Sequence, residues 1–129
     1  MNTHFNLVYH DNHNIIQIYY MGKYIIRKSF DGKYWWVLIG PNEENLLTSE
    51  AYASRESCLK GVEISKESLK DSNFKMLMTA RKYEPYFTQI ADNYQILARS
   101  EMYSTAYARD AATDSVKNCA ANAVIEDLS

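Results

Sequence analysis

The strongest constraint on this chain is that it repeats itself. Ser49-Glu50-Ala51-Tyr52 returns as Ser100-Glu101-Met102-Tyr103, each copy following an apolar run and preceding a helical pattern. Laid over each other at constant offset, 32–67 and 83–118 align without a gap. Ile39, Asn42, Leu46, Ser49, Glu50, Tyr52 and Lys66 recur as Ile90, Asn93, Leu97, Ser100, Glu101, Tyr103 and Lys117. Trp35 and Trp36 become Tyr86 and Phe87, and Ser54 becomes Thr105. A duplicated half packs on its partner about a pseudo-twofold axis, as the subunits of a homodimer do.

Each half reads the same way. Lys23 to Lys28, Tyr34 to Ile39 and Asn45 to Glu50 are strand patterns, with Asp31-Gly32 as a hairpin turn between the first two. Ser54 can cap a helix over 55–69, whose Cys58, Val62, Ser65 and Leu69 share one face. In the second half the spacing predicts a long strand from Phe74 to Lys82, then strands at Tyr86 to Ile90 and Tyr94 to Ser100. Thr105 caps a helix over 106–119 with Ala108, Ala112, Val116 and Cys119 as its stripe, and Ala123 to Glu126 is a last strand. The fold class is α+β: an antiparallel-rich sheet with two helices on one face. Residues 21–73 and 74–129 are the two repeats, and 21–129 folds as one domain.

Residues 1–20 stand apart. They hold all three histidines (His4, His10, His13) and one apolar run, Ile15 to Tyr20. Two readings stand: an extension that adds a strand or covers surface, or a mis-assigned start with Met21 as the first residue. That run is too short to span a membrane, and the N-terminus lacks a basic signal region. With two cysteines there is no disulfide framework, so a cytoplasmic location is expected.

From Met21 onward the sequence resembles the YegP-like family of small, uncharacterised bacterial proteins. The resemblance rests on Met21-Gly22-Lys23-Tyr24, the two Ser-Glu-x-Tyr segments, Val116-Lys117-Asn118-Cys119 and the tail Ala123 to Ser129. It implies two β-β-β-α-β units sharing one sheet, with their end strands exchanged, and no established activity. Gln89 in an apolar strand position and Arg109 in an apolar helix position depart from it.

The chemistry on offer is sparse. No histidine lies beyond Met21, so Ser–His and Cys–His nucleophiles are absent from the repeats. His4, His10 and His13 lack thiolate or Glu partners, and neither a metal nor another cofactor is expected. Cys58 and Cys119 fall on buried helix faces, where a thiol behaves as a small hydrophobe. Glu50 and Glu101 are the best carboxylate pair for an acid–base enzyme. Their position between strand and helix favours a structural role, in which each accepts helix N–H groups while Tyr52 and Tyr103 anchor beneath. Ser49 and Ser100 belong to the same signature.

Strand alternation puts Tyr34, Trp36 and Leu38 on one face and Trp35, Val37 and Ile39 on the other. Helices cover only one face, so the open one exposes an aromatic patch, with Ile25, Arg27, Tyr86 and Thr88 as expected neighbours. The leading reading is a non-enzymatic module that binds a protein or small molecule through Arg27, Trp35, Val37 and Tyr86. It would act as a monomer with an internal pseudo-dimer or as a weak homodimer. A nucleic-acid partner is disfavoured, because 14 basic against 16 acidic residues give a net charge of -2 with no Lys/Arg cluster. Weak stacking on single strands is the third reading, after the Glu50/Glu101 enzyme.

Overall fold

In the computed structural model, residues 22–129 are described; the expectations for residues 1–20 lie outside them. Chain order is β1 (Lys23–Lys28), β2 (Tyr34–Ile39), β3 (Asn45–Ser49), α1 (Arg55–Glu67), β4 (Phe74–Met78), β5 (Pro85–Ile90), β6 (Ile96–Arg99), α2 (Ala106–Cys119) and β7 (Val124–Asp127). A short 3₁₀ turn at Asp71–Asn73 joins α1 to β4. The strands form one sheet in the order β4-β5-β6-β3-β2-β1-β7. Every pairing is antiparallel except β1 with β7.

The order shows how the halves interlock. β4 leaves the first helix and pairs with β5 of the second half; β7 leaves the second helix and pairs with β1 of the first. The end strands are thus exchanged. β4 also opens the second half, so the described residues make seven strands from two β-β-β-α-β units. An arginine from the opposite helix holds each exchanged strand. Arg55 of α1 pairs with Asp127 on β7, and Arg109 of α2 donates to the Leu77 carbonyl of β4 at 3.2 Å. That carbonyl lies on a sheet edge, where an unpaired group invites another strand. This accounts for an arginine on a helix face that otherwise reads apolar.

The duplication extends to irregularities. β2–β3 slips at Leu38/Ile39 and β5–β6 at Gln89/Ile90, with Leu46 and Leu97 skipped in the registers. The two turns match bond for bond, with Glu43 and Tyr94 at φ 63 and 69. The first hairpin breaks the match, because β4 runs only to Met78. Residues 79–84 form a loop in which Tyr83 takes φ 55, so the strand pattern expected through Lys82 stops early. That loop is one residue longer than its counterpart at 29–33, so β1 and β4 align at an offset of 50 rather than 51.

The core lies between the sheet and the helices. Tyr24, Ile26, Trp36, Leu38, Phe74 and Phe87 meet Cys58, Val62, Ala112, Val116 and Cys119 there. The helix caps are Ser54, accepting from Ser57 N–H, and Thr105, accepting from Ala108 N–H. Into this core intrudes Gln89, with 0% exposure. Its amide donates to Ser65 O (3.0 Å) and Ser68 O (2.9 Å), while its carbonyl accepts from Ser65 Oγ (2.7 Å). The Tyr24 hydroxyl lies 2.8 Å from the same Oγ. The side chain therefore takes up the Ser68 carbonyl at the end of α1 and gives Ser65 O a second donor beside the Ser68 N–H. The equivalent trio in the other half is Phe74, Val116 and Leu38, all apolar core.

Gln89→Leu would remove three buried hydrogen bonds and leave the Ser68 carbonyl without its donor, while Ser65 keeps the Tyr24 hydroxyl and the Ser68 N–H. We expect it to cost about 1–3 kcal/mol, read as a lower urea midpoint at unchanged m-value. Acid should release β7 first. Hydrogen bonds from Ser129 and the Arg55 guanidinium lower the Asp127 pKa from 3.8 to about 2. A depressed carboxylate stabilises above its unfolded value, and that contribution fades as pH falls through the folded one. Amide protection across β1–β7, relative to the intrinsic exchange rate at each pH, should therefore fall between pH 4 and pH 2, and Asp127→Asn should remove that loss.

Candidate functional site

The Ser-Glu-x-Tyr segments come first. Ser49 Oγ accepts from Trp36 N–H (2.9 Å) and donates to Glu50 O (2.7 Å); Ser100 Oγ does the same for Phe87 N–H (2.9 Å) and Glu101 O (2.7 Å). Each serine thereby occupies a strand N–H at the point where the chain leaves the sheet for the helix. Tyr52 then pairs back on Tyr34 through both backbone bonds. Tyr103 makes only the N–H bond to Pro85 O, because proline has no N–H to return.

Glu50 and Glu101 do something different from what the sequence suggested. The helix N–H groups go to Ser54 and Thr105, and both carboxylates are exposed. Nor are the two brought together. Glu50 N–H meets Leu97 O across the β3–β6 seam. Glu101 lies four residues beyond Leu97, about 13 Å at roughly 3.3 Å per residue. Glu50 borders a groove of about 540 Å³ with Tyr52, Lys60, Gly61 and Gln95, and Glu101 is not on it. No two-carboxylate site forms.

A glycine makes room for Tyr52 on the wall of that groove. The Tyr52 hydroxyl sits against Gly61, where a Cβ would come within 2.1 Å of it. Burial raises the Tyr52 pKa. The Trp36 indole N–H is buried beside it but makes no hydrogen bond of acceptable geometry. The second half has Ala112 and Phe87 at the matching places.

The open face is the remaining surface. One row crosses the whole sheet by register: Glu126, Ile25, Val37, Thr48, Arg99, Thr88 and Lys75. Trp35 lies opposite Arg27 and Tyr86 opposite Leu77. Trp36 and Leu38 are in the core while Trp35 is partly exposed, as alternation required. The expected clustering of Trp35 with Tyr86 and Thr88 does not occur. β3 and β6 lie between their strands, three spacings or about 14 Å at roughly 4.8 Å each. The face therefore carries two patches related by the pseudo-twofold.

Charge is where these patches depart from expectation. Lys23, Arg27, Lys75 and Arg99 all project from strand positions on this face, against the single carboxylate of Glu126. Lys23 pairs with Glu126 at 3.1 Å. Arg27, Lys75 and Arg99 have no ion pair among the described residues, as is also true of Lys28, Lys33, Lys60, Lys66, Arg81 and Lys82 elsewhere. In the second half the sheet bears a basin of about 310 Å³ lined by Lys75, Leu77, Tyr86, Thr88, Tyr94 and Arg99, among others. The Arg99 guanidinium lies 6.0 Å from the Tyr86 ring centroid. The sequence pointed to Tyr86 and Thr88 but not to Lys75, Tyr94 and Arg99, which lie on β4, in the β5–β6 turn and on β6.

Other chemistry is quiet. Burial pushes both Cys58 and Cys119 up to about 11, so neither thiol is ionised near neutrality. No cluster of three metal-binding side chains occurs among the described residues. No helix among them is long and apolar enough to cross a membrane.

A tandem α+β sheet with serine-pinned strand exits and exchanged end strands defines the class. A family model described as a domain of unknown function (DUF1508) matches residues 29–73 and again 80–127. A UPF0339 protein of Acinetobacter baylyi is 36% identical over 108 residues, 83% of this chain and 96% of the relative. The UPF0339 protein YegP of Escherichia coli is 33% identical over 82% and 96%. The solution structure of Escherichia coli YegP superposes with TM-score 0.79 at 30% identity, over 84% of this chain and 94% of that one. That of a Shewanella oneidensis UPF0339 protein gives 0.78 at 32%, over 83% and 91%. The chain belongs to the DUF1508 (UPF0339) family, in its tandem form, and the family's function is unknown.

Two substitutions test the geometry. Gly61→Ala should destabilise despite the helix-propensity gain of about 1 kcal/mol, since its Cβ collides with the Tyr52 ring. Tyr94→Gly should stabilise by about 0.5–1 kcal/mol, because a bulky side chain at φ 69 costs what glycine does not. Thermal denaturation reads both.

Proposed function

We propose that the chain is a non-catalytic module of the cytosol that acts as a monomer and binds an anionic partner on the open face of its sheet. The observation that carries this is the partition of charge. A chain of net charge -2 places four cations and one carboxylate on the strand positions of one face. Three of those cations have no ion-pair partner among the described residues. Such a face attracts polyanions although the whole molecule repels them. The dispersed carboxylates and the ionically inert thiols favour binding over catalysis.

Heparin resin is a direct probe. A protein with isoelectric point near 5.9 should flow through at neutral pH if its charge were spread evenly. Retention is expected at about 50 mM NaCl and release by about 200 mM. Arg27→Glu/Lys75→Glu/Arg99→Glu, with an unchanged circular dichroism spectrum, should not be retained. Flow-through of the unsubstituted protein would end the proposal.

A further inference from the structure

Resting on that reading of the open face, we propose that the basin of Lys75, Thr88, Arg99, Tyr86 and Tyr94 is a site for a nucleotide: a phosphate ester joined to a planar base.

The internal duplication supplies the comparison. At the offsets that align the two halves, Lys75 corresponds to Ile25, Arg99 to Thr48 and Tyr94 to Glu43. Thr88 corresponds to Val37 and Tyr86 to Trp35. In the second half an apolar residue has become a lysine, a threonine an arginine, and an acid a tyrosine. These three differences add positive charge, remove negative charge or add an aromatic ring at one place, while Leu77 in place of Arg27 makes the wall more apolar. The backbone is the same in both halves, including the positive φ shared by Glu43 and Tyr94. The basin is therefore a difference in side chains laid on a common frame.

Its chemistry selects the ligand. Two cations line it and no carboxylate does, which suits a doubly charged anion. Arg99 offers the planar fork that matches phosphate oxygens, and Lys75 a second, mobile charge. The Thr88 hydroxyl adds a donor. Leu77, Ile90 and Ile96 with the two tyrosine rings make the rest of the wall apolar and aromatic, a surface for a flat base. Acidic peptide side chains would satisfy the cations and leave that wall empty. The volume, about 310 Å³, is at the small end of ligand cavities and suits one such unit.

Tyr94 is 82% exposed and holds the left-handed conformation that the shared turn also imposes on Glu43. What differs between the halves is its ring, which lines the basin. The cations also explain why sequence inspection disfavoured nucleic acid: they come from different strands and form no cluster along the chain.

The test uses the full chain. Adenosine monophosphate, inorganic phosphate and a fluorescein-labelled deoxythymidine decamer are titrated separately, at low salt, against backbone amide shifts and anisotropy. Adenosine monophosphate should shift the Lys75, Thr88 and Arg99 amides and bind at least tenfold more tightly than phosphate. If the decamer binds more tightly still, the source is a single strand; if not, a free nucleotide. Arg99→Glu should abolish these shifts, and Tyr94→Gly should weaken binding severalfold while raising the melting temperature. Arg27→Glu, in the other half, should change mononucleotide affinity less than twofold. The proposal is overturned if phosphate matches the mononucleotide, if neither nucleotide ligand binds, or if Arg27→Glu weakens mononucleotide binding as much as Arg99→Glu. Heparin retention that survives such a failure would leave the broader reading standing and remove only the nucleotide.

Discussion

One buried glutamine ties the two halves together. Gln89 grips the last turn of α1 through Ser65 and Ser68, and its backbone partner in the sheet is Phe74, the first residue of β4. The helix end and the strand that follows are thus fixed to the same residue. Asn73 reinforces the join by donating to Ile90 O and to Asp92. Buried amides and hydroxyls are costly unless paired, so other placements of α1 across the sheet would leave these groups without partners. Burial raises the Tyr24 pKa, and a neutral hydroxyl suits its place in this network.

The rest of the architecture depends on that placement. Once α1 is set, β4 must enter the second half, and the halves share a sheet although β3 and β6 meet over a short register, Thr48 with Arg99 and Ser49 with Ala98. The helices then cover the face that carries Trp36, Leu38 and Phe87. The opposite face is left to Trp35, Tyr86 and the cations. The open surface is a by-product of how the covered one is closed.

Much of this was legible in the residues. The ends of β1, β2 and α2 agree with the pattern, because alternation and capping are local signals. The repeat identified the serines that pin the strand exits, though not how they do it. What was not legible was non-local. Trp35 and Tyr86 read as neighbours, but strand order places two strands between them. β4 stops at Met78 because Tyr83 adopts a left-handed conformation that its residue type does not advertise. Glu50 looked like a helix partner since it precedes one, yet Ser54 is nearer and already fills that need. The cations of the open face are spread from Lys23 to Arg99, and only the strand registers gather them.

The parallel pairing of β1 with β7 has a consequence for how the protein is made. Lys23 meets Val124, so β1 waits for a strand about 100 residues further along the chain. A loop of about 100 residues must close before that contact forms, among the most entropically demanding closures in the molecule. During synthesis β1, with Tyr24, Ile25 and Ile26, emerges well before β7 and keeps that edge open until β7 follows. The interval between those events is when the nascent chain is most open to pairing with the wrong strand.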